Sequence, residues 1–338
     1  MNASDYDYEL PAASIAQEAI EPRDSSRLLD TATMRNLVFT DFPTLCRRGD
    51  LVVVNETKVR AARLVGVRET GGRTEVLLTR RIDHQRWQAL LRPAKKLRTG
   101  SVVRTGTLTV TLLSDPIEGT ATVGIEDKGP GDIEEAIAAA GHVPLPPYFH
   151  GNLPNPDRYQ TMFANRIGSA AAPTAALHFT DRIVDALADR QVAMATVDLE
   201  VGLDTFRPMG EGDIADHVIH TERVRIPVDT VDAVARTRAD GGRVIAVGTT
   251  VVRSLETAAT KDGLIGAYRG DSDLFIRPGY SMRTVDAVLT NFHAPRTTLL
   301  VLISAILGDR WRDVYAHAIG AGYRFLSFGD SMFAVVDR

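Results

Sequence analysis

Residues 242–250 read Gly242-Arg243-Val244-Ile245-Ala246-Val247-Gly248-Thr249-Thr250, a charged turn, a short apolar run and a Gly-Thr-Thr turn. An uninterrupted apolar run of this length, bounded by glycines, is the signature of a strand covered on both faces. Before it, residues 230–239 have helical periodicity and stop at Gly241-Gly242; after it, a second helix is expected to carry Arg253, Leu255 and Glu256. The same alternation recurs upstream. Residues 181–190 form an amphipathic pattern leading into a strand at 192–197, and residues 51–54 are again continuously aliphatic. Strands alternating with helices predict an α/β sheet.

Between these parts the pattern changes. Residues 74–79 and 87–91 are strand-like, and from Ser101 to Leu113 threonines alternate with Leu108, Val110 and Leu112, the period of one half-buried strand. Helical character returns at Asp132, an expected N-cap followed by Glu134 and Glu135, and ends at Gly141; Pro144, Pro146 and Pro147 then mark a hinge. The reading is a discontinuous α/β domain, residues 1–59 and 146–338, with a small all-β barrel inserted at 60–145.

Composition fits a folded chain. Of 338 residues 44% are hydrophobic and 24% charged, which excludes disordered and coiled-coil classes. The longest apolar run, residues 299–307, is about half of the ~20 residues a membrane span needs. Asp5, Asp7 and Glu9 stand where an export signal would carry positive charge, so a cytoplasmic protein with no membrane association is expected. The single cysteine, Cys46, excludes an internal disulfide and reads as a small residue packed near a helix end.

The net charge of −4 conceals an asymmetry. Residues 60–104 hold twelve basic and three acidic side chains, a net of +9 that leaves −13 for the rest. Such segregation suits a polyanion.

Three groups of residues are equipped for chemistry. Gly248-Thr249-Thr250 ends a strand and opens a helix, where free amides hold anions. Neither a Walker A lysine nor a G-x-G-x-x-G fingerprint accompanies it, which disfavours nucleoside triphosphatases and dinucleotide enzymes. Residues 216–222 (Asp-His-Val-Ile-His-Thr-Glu) bring His217, His220 and Glu222 together; on a helix the two imidazoles would share a face, and proton transfer or substrate orientation is favoured over zinc because the spacing fits no common zinc motif, with a solvated surface cluster as the alternative. Asn291-Phe292-His293 and Phe328-Gly329-Asp330-Ser331 read either as pocket lining or as core packing and a turn, and His178 and His317 are further candidates.

Taken together these segments resemble the S-adenosylmethionine:tRNA ribosyltransferase-isomerases of queuosine biosynthesis. The resemblance runs nearly end to end, through Tyr6-Asp7-Tyr8-Glu9-Leu10-Pro11, Asn55-Glu56-Thr57-Lys58-Val59, Arg92-Pro93-Ala94-Lys95-Lys96-Leu97, Gly141-His142-Val143-Pro144-Leu145-Pro146-Pro147-Tyr148, Ala172-Pro173-Thr174-Ala175, Asp216-His217 with His220 and Glu222, residues 243–250, and Thr290-Asn291-Phe292-His293. It implies transfer of the ribosyl part of S-adenosylmethionine to a 7-aminomethyl-7-deazaguanine already in a tRNA anticodon, giving epoxyqueuosine with loss of adenine and methionine. The alternatives are a diverged paralogue using S-adenosylmethionine on a small molecule, and an inactive RNA-binding protein.

By this resemblance the catalytic candidates are His217, His220, Glu222, His178 and His293. Donor binding falls to Gly248, Thr249, Thr250, Arg253, Thr174, Glu200 and Asp204, and binding of the tRNA anticodon stem-loop to Arg92, Lys95, Lys96, Arg98, Lys58 and Arg63. S-adenosylmethionine serves as ribosyl donor, no metal is expected, and a monomer is the favoured state. Four residues depart from the family pattern inside matching stretches: Ala176 and Asp204 replace glycines, Glu200 a histidine and Val251 a serine.

Overall fold

The computed structural model describes residues 1–129, 131–151, 153, 155–202, 208–260 and 263–336. Two compact units emerge, Met1–Lys58 with Pro146–Ile167 and Ala172–Arg338, and Val59–Leu145 with Gly168–Ala171.

In chain order the elements are β1 (Arg27–Asp30), β2 (Arg35–Val38), α1 (Phe42–Leu45), β3 (Leu51–Asn55), β4 (Thr57–Val59), β5 (Arg63–Arg68), β6 (Arg73–Arg81), β7 (Arg86–Arg92), β8 (Val102–Thr105), β9 (Leu108–Leu112), β10 (Thr120–Asp127), α2 (Ile133–Ala140) and β11 (Gly141–His142). They continue with β12 (Arg166–Ser169), α3 (Asp181–Asp189), β13 (Ala193–Leu199), β14 (Glu222–Ile226), α4 (Val228–Ala239), β15 (Val244–Val247), α5 (Thr249–Ala258), β16 (Tyr268–Ser272), β17 (Ala287–Asn291), α6 (Thr298–Leu307), α7 (Trp311–Gly320) and β18 (Ser331–Val335).

The first unit is built on a nine-stranded sheet of order β16-β14-β13-β3-β15-β17-β18-β1-β2. Its centre, β13-β3-β15-β17, is parallel, and every residue of β3, β15 and β17 is buried. Continuous aliphatic runs are what a strand under helices on both faces requires, and this is why 51–54 and 244–247 carry no alternation. One side is sealed by a cluster that includes Val52, Ile245, Leu289, Phe39, Phe42 and Phe179. Cys46 caps the end of α1 and is buried, and burial, with Asp50 nearby, pushes its thiol up to about 12.

The second unit is an antiparallel barrel of order β5-β6-β7-β10-β9-β8, closed by pairing of β5 with β8 through Val67 with Arg104 and Arg68 with Val103. Closure removes the exposed edges of an open sheet. It depends on Gly66, where a Cβ would lie 2.5 Å from the Arg104 carbonyl oxygen. Alternation along the strands fills the interior, as in β9, whose Leu108, Val110 and Leu112 are buried. The single strand expected over 101–113 is two strands, because Gly106, at φ +54°, and Thr107 form a two-residue turn that pairs Thr105 with Leu108. Threonine alternation is identical on both arms, so periodicity alone did not reveal the fold-back.

Candidate functional site

A cleft of about 610 Å³, its open mouth included, lies in the first unit at the carboxyl ends of β15 and β17. Chain ends of parallel strands and helix N-termini converge at such places, so ligands gather there. Thr174, Gly248, Thr249, Thr250 and His293 all line it, joined by Thr290, Asn291, Tyr148 and Ser327. Gly248 caps α5 at φ +90°, a conformation that side-chain-bearing residues rarely adopt, and this sharp turn delivers the first turn of α5 to the cleft. Thr250 is 7% exposed, and its Oγ1 has no hydrogen-bond partner among the described residues.

His293 is buried in the cleft wall. Its backbone is held from both sides: the amide donates to the Tyr315 hydroxyl at 3.1 Å, and the Tyr8 hydroxyl donates to its carbonyl. Its Nε2 lies 3.2 Å from Thr290 Oγ1. Burial lowers its pKa to about 3, so the ring is neutral.

His178 stands one layer behind. Asn291 donates its Nδ2 to the Leu326 carbonyl at 2.9 Å, which turns Oδ1 toward His178 Nε2 at 3.1 Å. Nε2 is therefore the donor, and Nδ1 accepts from Ser26 Oγ at 2.7 Å. Burial, only partly offset by Asn291, brings His178 down to about 4. A neutral imidazole thus fixes the amide of a cleft residue.

Acid sensitivity follows from these two rings. A histidine with a folded pKa below its unfolded value of about 6.5 takes up its proton more readily in the unfolded chain, so stability is full above pH 6.5 and falls as pH drops toward the folded value. Between pH 7 and pH 5 the pair is expected to cost roughly 4 kcal/mol. Urea unfolding at the two pH values measures this loss, and it should shrink by about that amount in the double variant His178→Gln, His293→Gln. Equal losses in both proteins would refute the assignment.

The remaining described candidates of the first unit do not line the cleft. His217 and His220 do not share a helix: a single turn, Ile214–Asp216, precedes them and the chain then runs extended into β14. The Ile214 turn stops at His217 because His217 itself is extended, at ψ 119°. His217 packs edge-on against Phe275, with ring centroids 5.8 Å apart, while His220 Nε2 meets Glu222 Oε1 at 3.1 Å. Glu222 is fully buried; its Oε2 pairs with Arg253 Nη1 and its Oε1 also accepts the Gly202 amide at 3.0 Å. Burial raises the pKa of Glu222, but Arg253, His220 and that amide outweigh it and hold the carboxyl below its usual range. Arg253 also reaches the carbonyls of Leu274 and Ser272. This cluster ties β14, α5 and β16 together and fixes Gly202, next to the cleft residue Val201.

Glu200 faces Arg223 at 3.9 Å, and its amide bonds the Arg223 carbonyl. Asp204 lies outside the described residues. Ala176 and Val251 are both buried, the former within the sheet's apolar cluster. His317, on α7, meets Asn36 on β2.

The charge excess of residues 60–104 is partly spent inside the barrel unit. Arg60 and Arg81 both pair with Glu134, at 2.9 and 3.0 Å, and lie over the Trp87 ring at 4.6 and 5.3 Å. Arg63 pairs with Glu75 at 2.7 Å, Arg86 with Asp83 and Arg104 with Glu69. Arg92, Lys95, Lys96 and Arg98 are exposed and make no ion pair among the described residues; Arg98 donates to the Leu97 carbonyl. Lys58 is exposed on β4.

Sequence reasoning did not single out Tyr148 and Ser327 as site residues. Their hydroxyls meet at 2.5 Å in the cleft although 179 positions separate them. The hinge stretch Pro146-Pro147-Tyr148 was the available signal for the first.

Comparison with known proteins agrees with this architecture. A family model described as "Queuosine biosynthesis protein" matches residues 3–334. The chain is 44% identical over 340 residues to the S-adenosylmethionine:tRNA ribosyltransferase-isomerase of Symbiobacterium thermophilum, covering 98% of this chain and 99% of that one. It is 45% identical over 335 residues to the protein of the same name from Novosphingobium aromaticivorans, covering 96% and 97%. The crystal structure of S-adenosylmethionine tRNA ribosyltransferase from Thermotoga maritima is similar with a TM-score of 0.55 and 34% identity, over 98% of this chain and 99% of that one. A match of this extent, carried by an α/β sheet with an inserted barrel, places the chain in the S-adenosylmethionine:tRNA ribosyltransferase-isomerase family of queuosine biosynthesis.

Proposed function

We propose that this protein transfers and isomerises the ribosyl part of S-adenosylmethionine onto 7-aminomethyl-7-deazaguanine in a tRNA anticodon stem-loop, giving epoxyqueuosine and releasing adenine and methionine. The observation that carries the reading is the cleft at the carboxyl ends of β15 and β17, where Thr174, Gly248, Thr249, Thr250 and His293 converge. No Lys, Arg, Asp or Glu lines it among the described residues.

That lining suits a sulfonium. The donor's positive charge is lost from sulfur as the reaction proceeds, and a cation without a carboxylate partner in a poorly polar cleft is activated toward steps that discharge it. The sulfonium acidifies its neighbouring C–H bonds, so the chain must supply a proton acceptor, a group that assists adenine departure, and a place for an uncharged amine. In this reading neutral His293 accepts the proton, and His178 holds Asn291 in one orientation. Glu222 and Arg253 act at a distance by keeping Val201-Gly202 in place.

Arg92, Lys95, Lys96 and Arg98 are the exposed cations assigned to the tRNA backbone, with Lys58; Arg63, neutralised by Glu75, contributes less. Replacing Lys95, Lys96 and Arg98 by alanine should weaken tRNA binding and flatten its dependence on salt, each lost phosphate contact lowering the slope of log K against log salt by about 0.7 to 0.9. Donor affinity, measured by calorimetry on the same variant, should stay unchanged. Equal tRNA affinity in wild type and variant would remove this segment from recognition, and failure of the wild type to bind either substrate would remove the function.

A further inference from the structure

The first turn of α5 has a property that the donor-binding role alone does not explain. Thr250 Oγ1 is buried in the cleft without a partner among the described residues, beside the Thr249 and Thr250 amides at the start of α5, whereas the Val251 and Val252 amides donate to the Gly248 carbonyl. Natural proteins rarely leave a buried hydroxyl unmatched, so such an atom marks a ligand position. The cleft lining also contains no cationic side chain among the described residues, and His293 is held neutral by burial. The fixed positive potential there is the end of α5 itself, equivalent to about half a unit charge.

We propose that the N-terminus of α5 is a monoanion subsite that binds the carboxylate of the amino-acid end of the donor, with Thr250 Oγ1 and the Thr249 and Thr250 amides as hydrogen-bond donors. This rests on the donor-site reading above. Half a unit of positive charge and one rotatable hydroxyl match a single carboxylate, which accepts on two oxygens. A tRNA phosphate is the poorer fit, because phosphate contacts are made mainly by Arg and Lys, and neither lines the cleft among the described residues. The methionyl carboxylate is the one anionic group of the donor and is remote from the bonds that change, so holding it orients the donor without opposing the loss of charge at sulfur.

The test is a calorimetric titration of wild type, Thr250→Val and Thr250→Ser with S-adenosylmethionine and with its decarboxylated analogue, in which hydrogen replaces the carboxylate. Wild type should bind the analogue at least about tenfold more weakly than the donor. Thr250→Val, which keeps the shape and removes the hydroxyl, should weaken donor binding about tenfold and leave analogue binding within about twofold; Thr250→Ser should restore donor affinity to within about threefold. Equal affinity of wild type for the two ligands, or an equal effect of Thr250→Val on both, would overturn the subsite while leaving the donor reading standing. Retention of donor affinity but loss of tRNA affinity in Thr250→Val would reassign the position to a phosphate and overturn the proposal. If wild type binds neither small ligand, the donor reading itself fails, and the subsite with it.

Discussion

Replacing His293 by glutamine is expected to lower the single-turnover rate of ribosyl transfer by about 10²- to 10⁴-fold, with the donor dissociation constant changing by less than about threefold. The argument starts from burial. An imidazole with a pKa near 3 is a weak base toward water, since protonation would create a charge in the cleft. Toward a sulfonium the balance differs. Proton transfer from the carbon next to sulfur to the ring moves a positive charge that the donor already brought in, so the cleft contains one cation before the step and one after it. Burial then opposes protonation by solvent but not by the substrate. The Tyr315 and Tyr8 contacts fix the His293 backbone in the cleft wall, so the glutamine variant is expected to keep the local chain path. Glutamine keeps the volume and a hydrogen bond to Thr290, so a fall in rate without a fall in affinity separates proton transfer from packing. A loss of less than about threefold in rate, or a loss confined to donor affinity, would remove His293 from the proton path.

Arg253→Met is expected to destabilise the protein by about 3 to 5 kcal/mol. Methionine leaves Glu222 buried with the His220 ring at 3.1 Å but without its guanidinium partner, and the desolvation that Arg253 offsets then acts on the carboxylate. The loss comes chiefly from the unpaired charge, so neutralising it should recover stability. In the double variant Glu222→Gln, Arg253→Met at least about half of the loss should return, because glutamine still accepts the Gly202 amide and nothing ionic is left unpaired. Urea unfolding of the two single variants and the double variant measures the coupling. Strict additivity would show that Glu222 and Arg253 act independently and that their contact is incidental.

The α/β class was legible because residues 51–54 and 244–247 must be apolar on every position to lie between covering layers, and few other structures demand that. The barrel was legible from alternation, but its hairpin at Gly106 was not, since both arms carry the same pattern. Within the site, the Gly-Thr-Thr turn announced itself by following a strand directly. The two-layer arrangement of Ser26, His178 and Asn291 did not, because its members are 152 and 113 positions apart and no local signal links them. His217 and His220 drew attention by density alone; in the structure one packs on an aromatic ring and the other serves a buried ion pair. The basic segment shows the opposite limit. A net charge counted along the chain cannot register that Arg60 and Arg81 fold back onto Glu134, leaving a smaller set of exposed cations to meet a polyanion.

The central claim is tested most directly by incubating the purified protein with S-adenosylmethionine and tRNA bearing 7-aminomethyl-7-deazaguanine, then digesting the tRNA and analysing its nucleosides by mass spectrometry while quantifying free adenine and methionine. The account predicts epoxyqueuosine in the tRNA with adenine and methionine released in equal amounts to it. Donor and tRNA both bound, with no modified nucleoside and no adenine released, would contradict it.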